Sequence, residues 1–389
     1  MKILLIGGTG LLSAGVAKQA CNVGAEVYAL NRGNRAGILP KEATSLKADI
    51  RSHEDVRRAC KGLFFDVVID FLSFKGTDIE ERLSVLGGAC NQFMFISSCA
   101  VYDIESQIGK CSEESPLGSP SWDYSLSKVE AEKTLARLCQ ETGLIYTIIR
   151  PGVTYGDTRI PYGIMPQYGY HWTLVERLLR KKPVLLWEGG QNTATITHVD
   201  DFAAGVVGLL GNSGAINEAV NIVSDTSYKW KEIIETLCNI LNVSPVFADV
   251  PKSFLAEEMP ERRGEVLIGR GLDAVFSNEK IKRILPGFTT SVSLNAGLCR
   301  TLDFYRKHAY LGGVDHKFDA EIDRIIQKYY RKADRVLLNE FNLKYMNGSP
   351  GTGKWNRAKY WYYRHGGSRL RRRFSVGKQS IGSFIRGLF

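Results

Sequence analysis

No two cysteines stand in Cys-x-x-Cys spacing, although the 389-residue chain holds eight. Cys21, Cys60, Cys90, Cys99, Cys111, Cys139, Cys238 and Cys299 are scattered, most of them inside apolar patterns. That is the usage of small buried hydrophobes in a reducing compartment and argues against a disulfide framework. The six histidines show no ligand spacing, so no metal centre is expected. No apolar run reaches the roughly 18 residues of a membrane-spanning helix. The apolar start of the chain stops at glycine where a signal peptide would continue, so the chain reads as cytoplasmic. Acidic residues are missing altogether from 351–389, which hold ten Lys and Arg. The net charge of +10 therefore belongs to that stretch, and the rest of the chain is balanced. Residues 348–354 imitate a phosphate-binding loop, but no strand precedes them and Trp355 stands where Ser or Thr is needed. The P-loop reading is rejected on those grounds.

What is present begins at the N-terminus. Ile3 to Ile6 form a fully apolar run, the pattern of a buried parallel strand. Gly7, Gly8, Thr9 and Gly10 follow, and a helical pattern starts at Leu11 and Leu12. Strand, glycine turn and helix start make a pyrophosphate cradle: the backbone comes close, and the helix offers free N–H groups and about half a positive charge. Ser13 occupies the place of a third glycine. The alternative is an ordinary tight turn.

Beyond the turn, strands are expected at 26–30, 43–47, 66–70 and 93–96, with helices at 56–62 and 79–90 between them. This alternation implies a doubly wound parallel sheet that binds ligands at the carboxyl ends of its strands. The end of the second strand carries Asn31 and Arg32 where an acidic residue would grip a ribose 2′-hydroxyl. Arg32 or Arg35 would attract a 2′-phosphate, which tilts the cofactor towards NADP over NAD; the bland alternative is a solvated arginine. Asp49, followed by Ile50, could accept from an adenine amino group, and Phe71 ends the fourth strand beside the expected cofactor.

The fifth strand ends at Ser97 and Ser98, and Tyr124 and Lys128 open a strongly helical stretch to 142. Four residues apart, Tyr124 and Lys128 share one helix face. An ammonium near a phenol favours the phenolate, so Tyr124 could exchange a proton with a hydroxyl near neutral pH. Ser98 could hold the same oxygen.

With the glycine turn, the strand-end serine and Tyr-x-x-x-Lys in this order, the chain resembles the extended short-chain dehydrogenase/reductase superfamily, of the NAD-dependent epimerase/dehydratase type. Arg150-Pro151 with Tyr155-Gly156, His198-Val199 with Asp201, Asn221-Ile222, and Ser277 with Lys280 resemble further motifs of that superfamily, up to about 305. The resemblance implies NAD or NADP as cofactor, Tyr124 as acid/base, Lys128 on the nicotinamide ribose, and Ser98 on the substrate. It also implies a sugar-like, nucleotide-linked substrate. Cys99 and Ala100 stand where the family's dehydratases carry Asp-Glu, which argues against dehydration. Ala194 replaces a diphosphate-clamping arginine, and Arg262-Arg263 could compensate, with Arg263 taken as substrate-binding; a solvated pair is the alternative. Gln191 ahead of the His198 signature resembles an atypical branch that includes chloroplast RNA-binding members.

The expected architecture is a Rossmann-type α/β domain at 1–156, with 190–223 returning to it. A smaller substrate-binding region is expected at 157–189 and 224–310, a helical extension at 311–346, and a basic aromatic tail at 347–389. In the loop at 157–170 and just after it, Tyr162, Tyr168, Tyr170, His171 and Trp172 could stack on a base or sugar, or simply pack on their own domain. A single amphipathic helix is expected at 320–338. The tail, with Trp355, Tyr360 to Tyr363 and Arg371 to Arg373, could contact an anionic membrane surface, nucleic acid or a partner protein, or remain solvated. A homodimer is left open. The function expected is an NAD(P)-dependent epimerase or reductase; the alternative is a nucleic-acid-binding protein on a Rossmann body, using the tail.

Overall fold

A computed structural model describes residues 1–33 and 38–365, the Lys354 side chain excepted. Arg35 and the tail residues from 366 on, including Arg371 to Arg373, lie outside the described residues. The chain divides into two compact units, Met1–Thr154, Thr195–Ser227 and Asp273–Val292 in the first, and Tyr155–Ala194, Tyr228–Leu272 and Ser293–Phe389 in the second.

The first unit is built on a seven-stranded sheet. Its strands are β1 (Lys2–Ile6), β2 (Glu26–Asn31), β3 (Thr44–Lys47), β4 (Phe65–Asp70), β5 (Cys90–Ile96), β6 (Ile145–Pro151) and β7 (Glu218–Ile222). Every pairing is parallel, in the order β3-β2-β1-β4-β5-β6-β7. The order reverses direction between β1 and β4, and that switch point opens a crevice at the carboxyl ends. Ile3 to Ile6 are wholly buried, as an apolar run in a sheet covered on both faces must be. Four helices, α1 (Leu11–Asn22), α2 (His53–Ala59), α3 (Gly76–Leu86) and α4 (Asp123–Thr142), fall between the first six strands. Gly15 on α1 lets the helix Val199–Gly208 come close, because a Cβ there would lie 2.6 Å from Val199 Cγ2.

Three boundaries differ from the sequence expectation. Helix α2 starts at His53 because the Ser52 hydroxyl caps it, accepting from Asp55 N at 3.2 Å. Helix α3 starts at Gly76, where Asp78 Oδ2 accepts from Phe74 N at 2.9 Å, and it stops at Leu86, so that Cys90 opens β5. Residues 273–292 belong with the sheet and not with the second unit.

The second unit has a short parallel pair, Val184–Leu186 with Phe247–Asp249. Trp187, Trp230 and Tyr162 pack ring against ring beside it. The helix expected at 320–338 is two helices, His316–Ala333 and Arg335–Glu340. Asp334 breaks the run and caps the second piece, accepting from Leu337 N at 2.9 Å. The tail expected from 347 is not free either. Its helix Lys354–Arg364 packs along His316–Ala333 and buries Tyr360 completely. Tyr360 Oη donates to Asp323 Oδ2 at 2.6 Å and to Leu343 O at 3.1 Å. Asp323 and Asp319, one helical turn apart, are held by Arg177 and Lys182, and all four side chains are buried. Residues 311–365 thus pack into the second unit, with Tyr360 in its core.

Candidate active site

The glycine turn is shaped as an anion cradle. Gly7 has φ +88, and a Cβ there would lie 2.6 Å from Leu72 Cγ; a Cβ on Gly8 would meet that of Ala29 at 2.6 Å. Side chains at these positions have no room, so backbone faces the crevice. Ser13 replaces the third glycine by tying the turn from below. Its hydroxyl donates to Gly7 O at 2.8 Å and accepts from Gly10 N at 3.0 Å. Thr9 N closes the turn on Gly7 O at 2.8 Å. The side chains of Leu11 and Leu12 go into the core. Their N–H groups, at the first turn of α1, have no intrahelical acceptor and are what the site can offer to phosphate.

Asn31, Asp49 and Phe71 are each engaged otherwise than the sequence expectation had them. Asn31 is buried and already engaged: Nδ2 donates to Ala29 O at 3.1 Å and Ser45 Oγ at 3.0 Å, and Oδ1 accepts from Gly33 N at 2.7 Å. It builds the bend after β2 and keeps no N–H for a ribose. Asp49 is clamped by Arg51, whose Nη2 and Nε reach its two oxygens at 2.6 Å and 3.0 Å. Hydrogen bonds from Arg51 hold the Asp49 carboxyl down at about 2. A carboxylate so occupied is a poorer partner for an adenine amino group than one left open. Phe71 is 1% exposed and belongs to the core; Leu72, the next residue, is the one that lies against the glycine turn. Ile50 is half-buried, and its carbonyl accepts from Arg82 Nη1 at 3.2 Å. Arg32 is exposed at the end of the bend, close enough to Asp49 to add to its charge stabilisation.

Lys128 reaches the ends of β4 and β5, Ser98 follows β5, and Tyr124 stands one turn before Lys128 on α4. Lys128 is wholly buried. Its Nζ donates to Ser73 O at 2.8 Å and Ile96 O at 3.1 Å, and lies over the rings of Phe74 and Phe95. Burial pulls its pKa down to about 7, against the fields of Asp70, Glu132 and Asp78, which favour the charged form. These bonds pin the first turns of α4 to the carboxyl edge of the sheet. Tyr124, one turn earlier on α4, is half-buried against Trp122, with ring centroids 5.6 Å apart. Ser98, just past β5, is half-buried and accepts from Ala100 N at 3.1 Å, an arrangement that leaves its proton for donation. Cys99 is buried and its thiol donates to Arg150 O at 3.2 Å; burial pushes its pKa up, so it offers no acid or nucleophile.

Sequence reasoning missed Glu132, one further turn along α4. Its carboxylate accepts from Ser97 Oγ at 2.5 Å and takes a bidentate pair from Arg150, at 3.0 Å and 2.6 Å. Arg150 also donates to Tyr102 Oη, which donates to Asn221 Oδ1 at 2.6 Å. The network joins α4 to the ends of β5, β6 and β7 and fixes the floor under Ser98. The signal in the sequence was Tyr124, Lys128 and Glu132 at a spacing of four. His198, left out of the catalytic set, caps the helix after it: Nδ1 accepts from Asp200 N at 3.2 Å.

In the second unit, Arg263 is exposed and makes no ion pair among the described residues. Arg262 is the better-placed arginine. Its Nη2 donates to Met165 O at 2.8 Å, and its Nη1 is buried without a partner. Tyr162, His171 and Trp172 are core residues, which leaves Tyr168 and Tyr170 partly exposed.

Residues 3–222 match the NAD dependent epimerase/dehydratase family. The chain belongs to that family. Among this family member's relatives, a chloroplast stem-loop binding protein of 41 kDa from Arabidopsis thaliana is 28% identical over 234 residues, covering 57% of this chain and 58% of the other. The chain thus spans less than two thirds of that relative's length. The uncharacterized UDP-glucose epimerase YtcB of Bacillus subtilis is 26% identical over 253 residues, covering 57% of this chain and 76% of the other. Among solved structures, an epimerase of Methanothermobacter thermautotrophicus superposes with a TM-score of 0.66 at 19% identity, over 79% of this chain and 92% of the other. That likeness shows the shared fold.

The family's nicotinamide dinucleotide fits the residues present. Gly7 and Gly8 leave no space for side chains, the N–H groups of Leu11 and Leu12 have no intrahelical acceptor, and Lys128 uses two of its three donors on carbonyls.

Proposed function

We propose that the protein is an NAD(P)-dependent epimerase or reductase that works on a secondary hydroxyl of a sugar-like, nucleotide-linked substrate. The observation that carries this reading is Lys128: a buried amine, fixed to the ends of β4 and β5, with a pKa near neutrality and a tyrosine one helical turn away. The dinucleotide, held by the turn from Gly7 to Leu12 and by Lys128, supplies hydride acceptance and donation. Tyr124 takes or returns the hydroxyl proton. The ammonium of Lys128 lowers the cost of the phenolate, and its remaining N–H would hold a ribose hydroxyl of the bound dinucleotide. Ser98 donates to the substrate oxygen and orients it. The Glu132–Arg150 pair keeps Ser97 and Ser98 in place. Cys99 and Ala100 provide no carboxyl group for removing water, which argues against dehydration. The nucleotide-linked part rests on the name of the Bacillus subtilis relative and on the unpartnered Arg262 Nη1.

Mass spectrometry of the cofactor that co-purifies, together with turnover of Tyr124→Phe, tests the reading. Tightly held NAD(H) supports epimerisation, and a site that arrives empty and binds NADPH supports reduction. A protein that binds no nicotinamide, and whose properties Tyr124→Phe does not change, overturns it. A nucleic-acid-binding role is the second reading, favoured by the name of the Arabidopsis relative. It predicts stem-loop RNA binding that survives both the loss of Tyr124 and the absence of cofactor.

A further inference from the structure

We propose that the outward face of the C-terminal helix Lys354–Arg364 is a docking surface for an anionic lipid bilayer, on which the protein lies without crossing it. The helix has two faces of opposite character. Tyr360 and Arg364, one turn apart, are buried, and the Tyr360 hydroxyl is anchored on Asp323 and Leu343. Trp355 and Tyr362, seven residues apart, lie two turns from each other on the opposite face. Trp355 is 87% exposed, and Trp361 and Tyr362 are each 46% exposed. Lys359 is exposed beside them, and Arg357 is exposed on the flank of the helix. Lone exposed aromatics are ordinary on a protein surface, but three on one short helix that is otherwise fixed by a buried tyrosine are a displayed patch.

The charge and the type of aromatic select the occupant. From 351 onward the chain carries ten basic residues and no acid, so a negatively charged surface meets no repulsion. Trp and Tyr, with an apolar ring and a polar tip, are the residues that settle at headgroup depth. The patch lies on the outer face of a helix, whereas single strands of nucleic acid are bound along grooves lined by stacking rings. Residues 381–389 carry Ile381, Phe384, Ile385, Leu388 and Phe389 with only Arg386 charged, which continues the same chemistry in the sequence. Among the described residues no helix is long and apolar enough to span a bilayer, which fits lying on the surface.

The test is co-sedimentation of the full-length protein with phosphatidylcholine vesicles, with and without phosphatidylglycerol, read alongside tryptophan fluorescence. Binding is expected to the anionic vesicles, with a blue shift, and to weaken as salt is raised. Lys359→Glu is expected to weaken it about fivefold or more, since each basic side chain at such a surface contributes about that factor. Trp355→Ala with Tyr362→Ala is expected to weaken it about tenfold and to abolish the blue shift, with the melting temperature unchanged. A chain ending after His365 keeps the helix and reports the share due to the residues beyond it. The proposal is overturned by equal binding to neutral and anionic vesicles. It is overturned if Lys359→Glu binds like the parent, or if a single-stranded RNA oligonucleotide binds more tightly than the vesicles and is lost on changing the same residues.

Discussion

Replacing Lys128 by methionine separates the cost of burying an amine from the value of its hydrogen bonds. The amine titrates at about 7 in the folded protein against a reference of 10.5. The folded pKa is lowered, so between those values the unfolded chain binds more protons, and wild-type stability rises with pH. Below about pH 7 the folded state carries the whole burial penalty, about 5 kcal/mol for a shift of that size. Between about pH 6 and about pH 9 roughly 2–3 kcal/mol of it is relieved. Methionine fills the same space without a charge but leaves Ser73 O and Ile96 O unpartnered, at about 1–3 kcal/mol each. Lys128→Met is therefore expected to match the wild type near pH 6 and to be about 2–3 kcal/mol less stable near pH 9. Urea unfolding of both proteins across that range gives the difference directly. A gap that stays constant, or narrows as pH rises, refutes the argument, because it means that Lys128 remains charged throughout.

Tyr124→Phe is expected to lower kcat by about 10²–10⁴-fold while leaving nicotinamide binding intact, as read by steady-state kinetics and fluorescence titration. Glu132→Gln strips the countercharge from buried Arg150 and is expected to cost about 3 kcal/mol in urea unfolding. Gly15→Val drives methyl groups into Val199 and is expected to cost about 1–3 kcal/mol. Tyr360→Phe removes the hydroxyl from Asp323 and Leu343 O and is expected to cost about 1–3 kcal/mol in urea unfolding.

Elements that rest on local pattern were legible in the chain. The apolar runs of β1, β4 and β5, and the spacing of Tyr124 and Lys128 on α4, declare themselves over a few residues, and they locate the sheet and the catalytic edge. What was not legible depends on partners far apart in sequence. Glu132 and Arg150 are eighteen residues apart, and the spacing that puts Glu132 on the Tyr124–Lys128 face does not reveal Arg150 as its partner. Asn31 looked available for a ribose because Ser45, which takes one of its protons, lies on the next strand. The helix expected at 320–338 kept its apolar spacing through Asp334, whose capping role appears only in three dimensions. The stretch after 347 reads by composition as a basic aromatic tail, and it is the burial of Tyr360 against Asp323 that packs its residues up to 365 into the second unit.

The Tyr360 hydroxyl also bears on the order in which the chain is completed. Synthesis runs from the N-terminus, and Arg177, Lys182, Asp319 and Asp323 have all been made well before residue 360 emerges. Until then the charged group at the centre of the second unit lacks its last hydrogen bond and its aromatic cover, and water can reach it. The nascent protein therefore completes that buried group only once the segment that carries Tyr360 has left the ribosome, long after the charges that it covers were made.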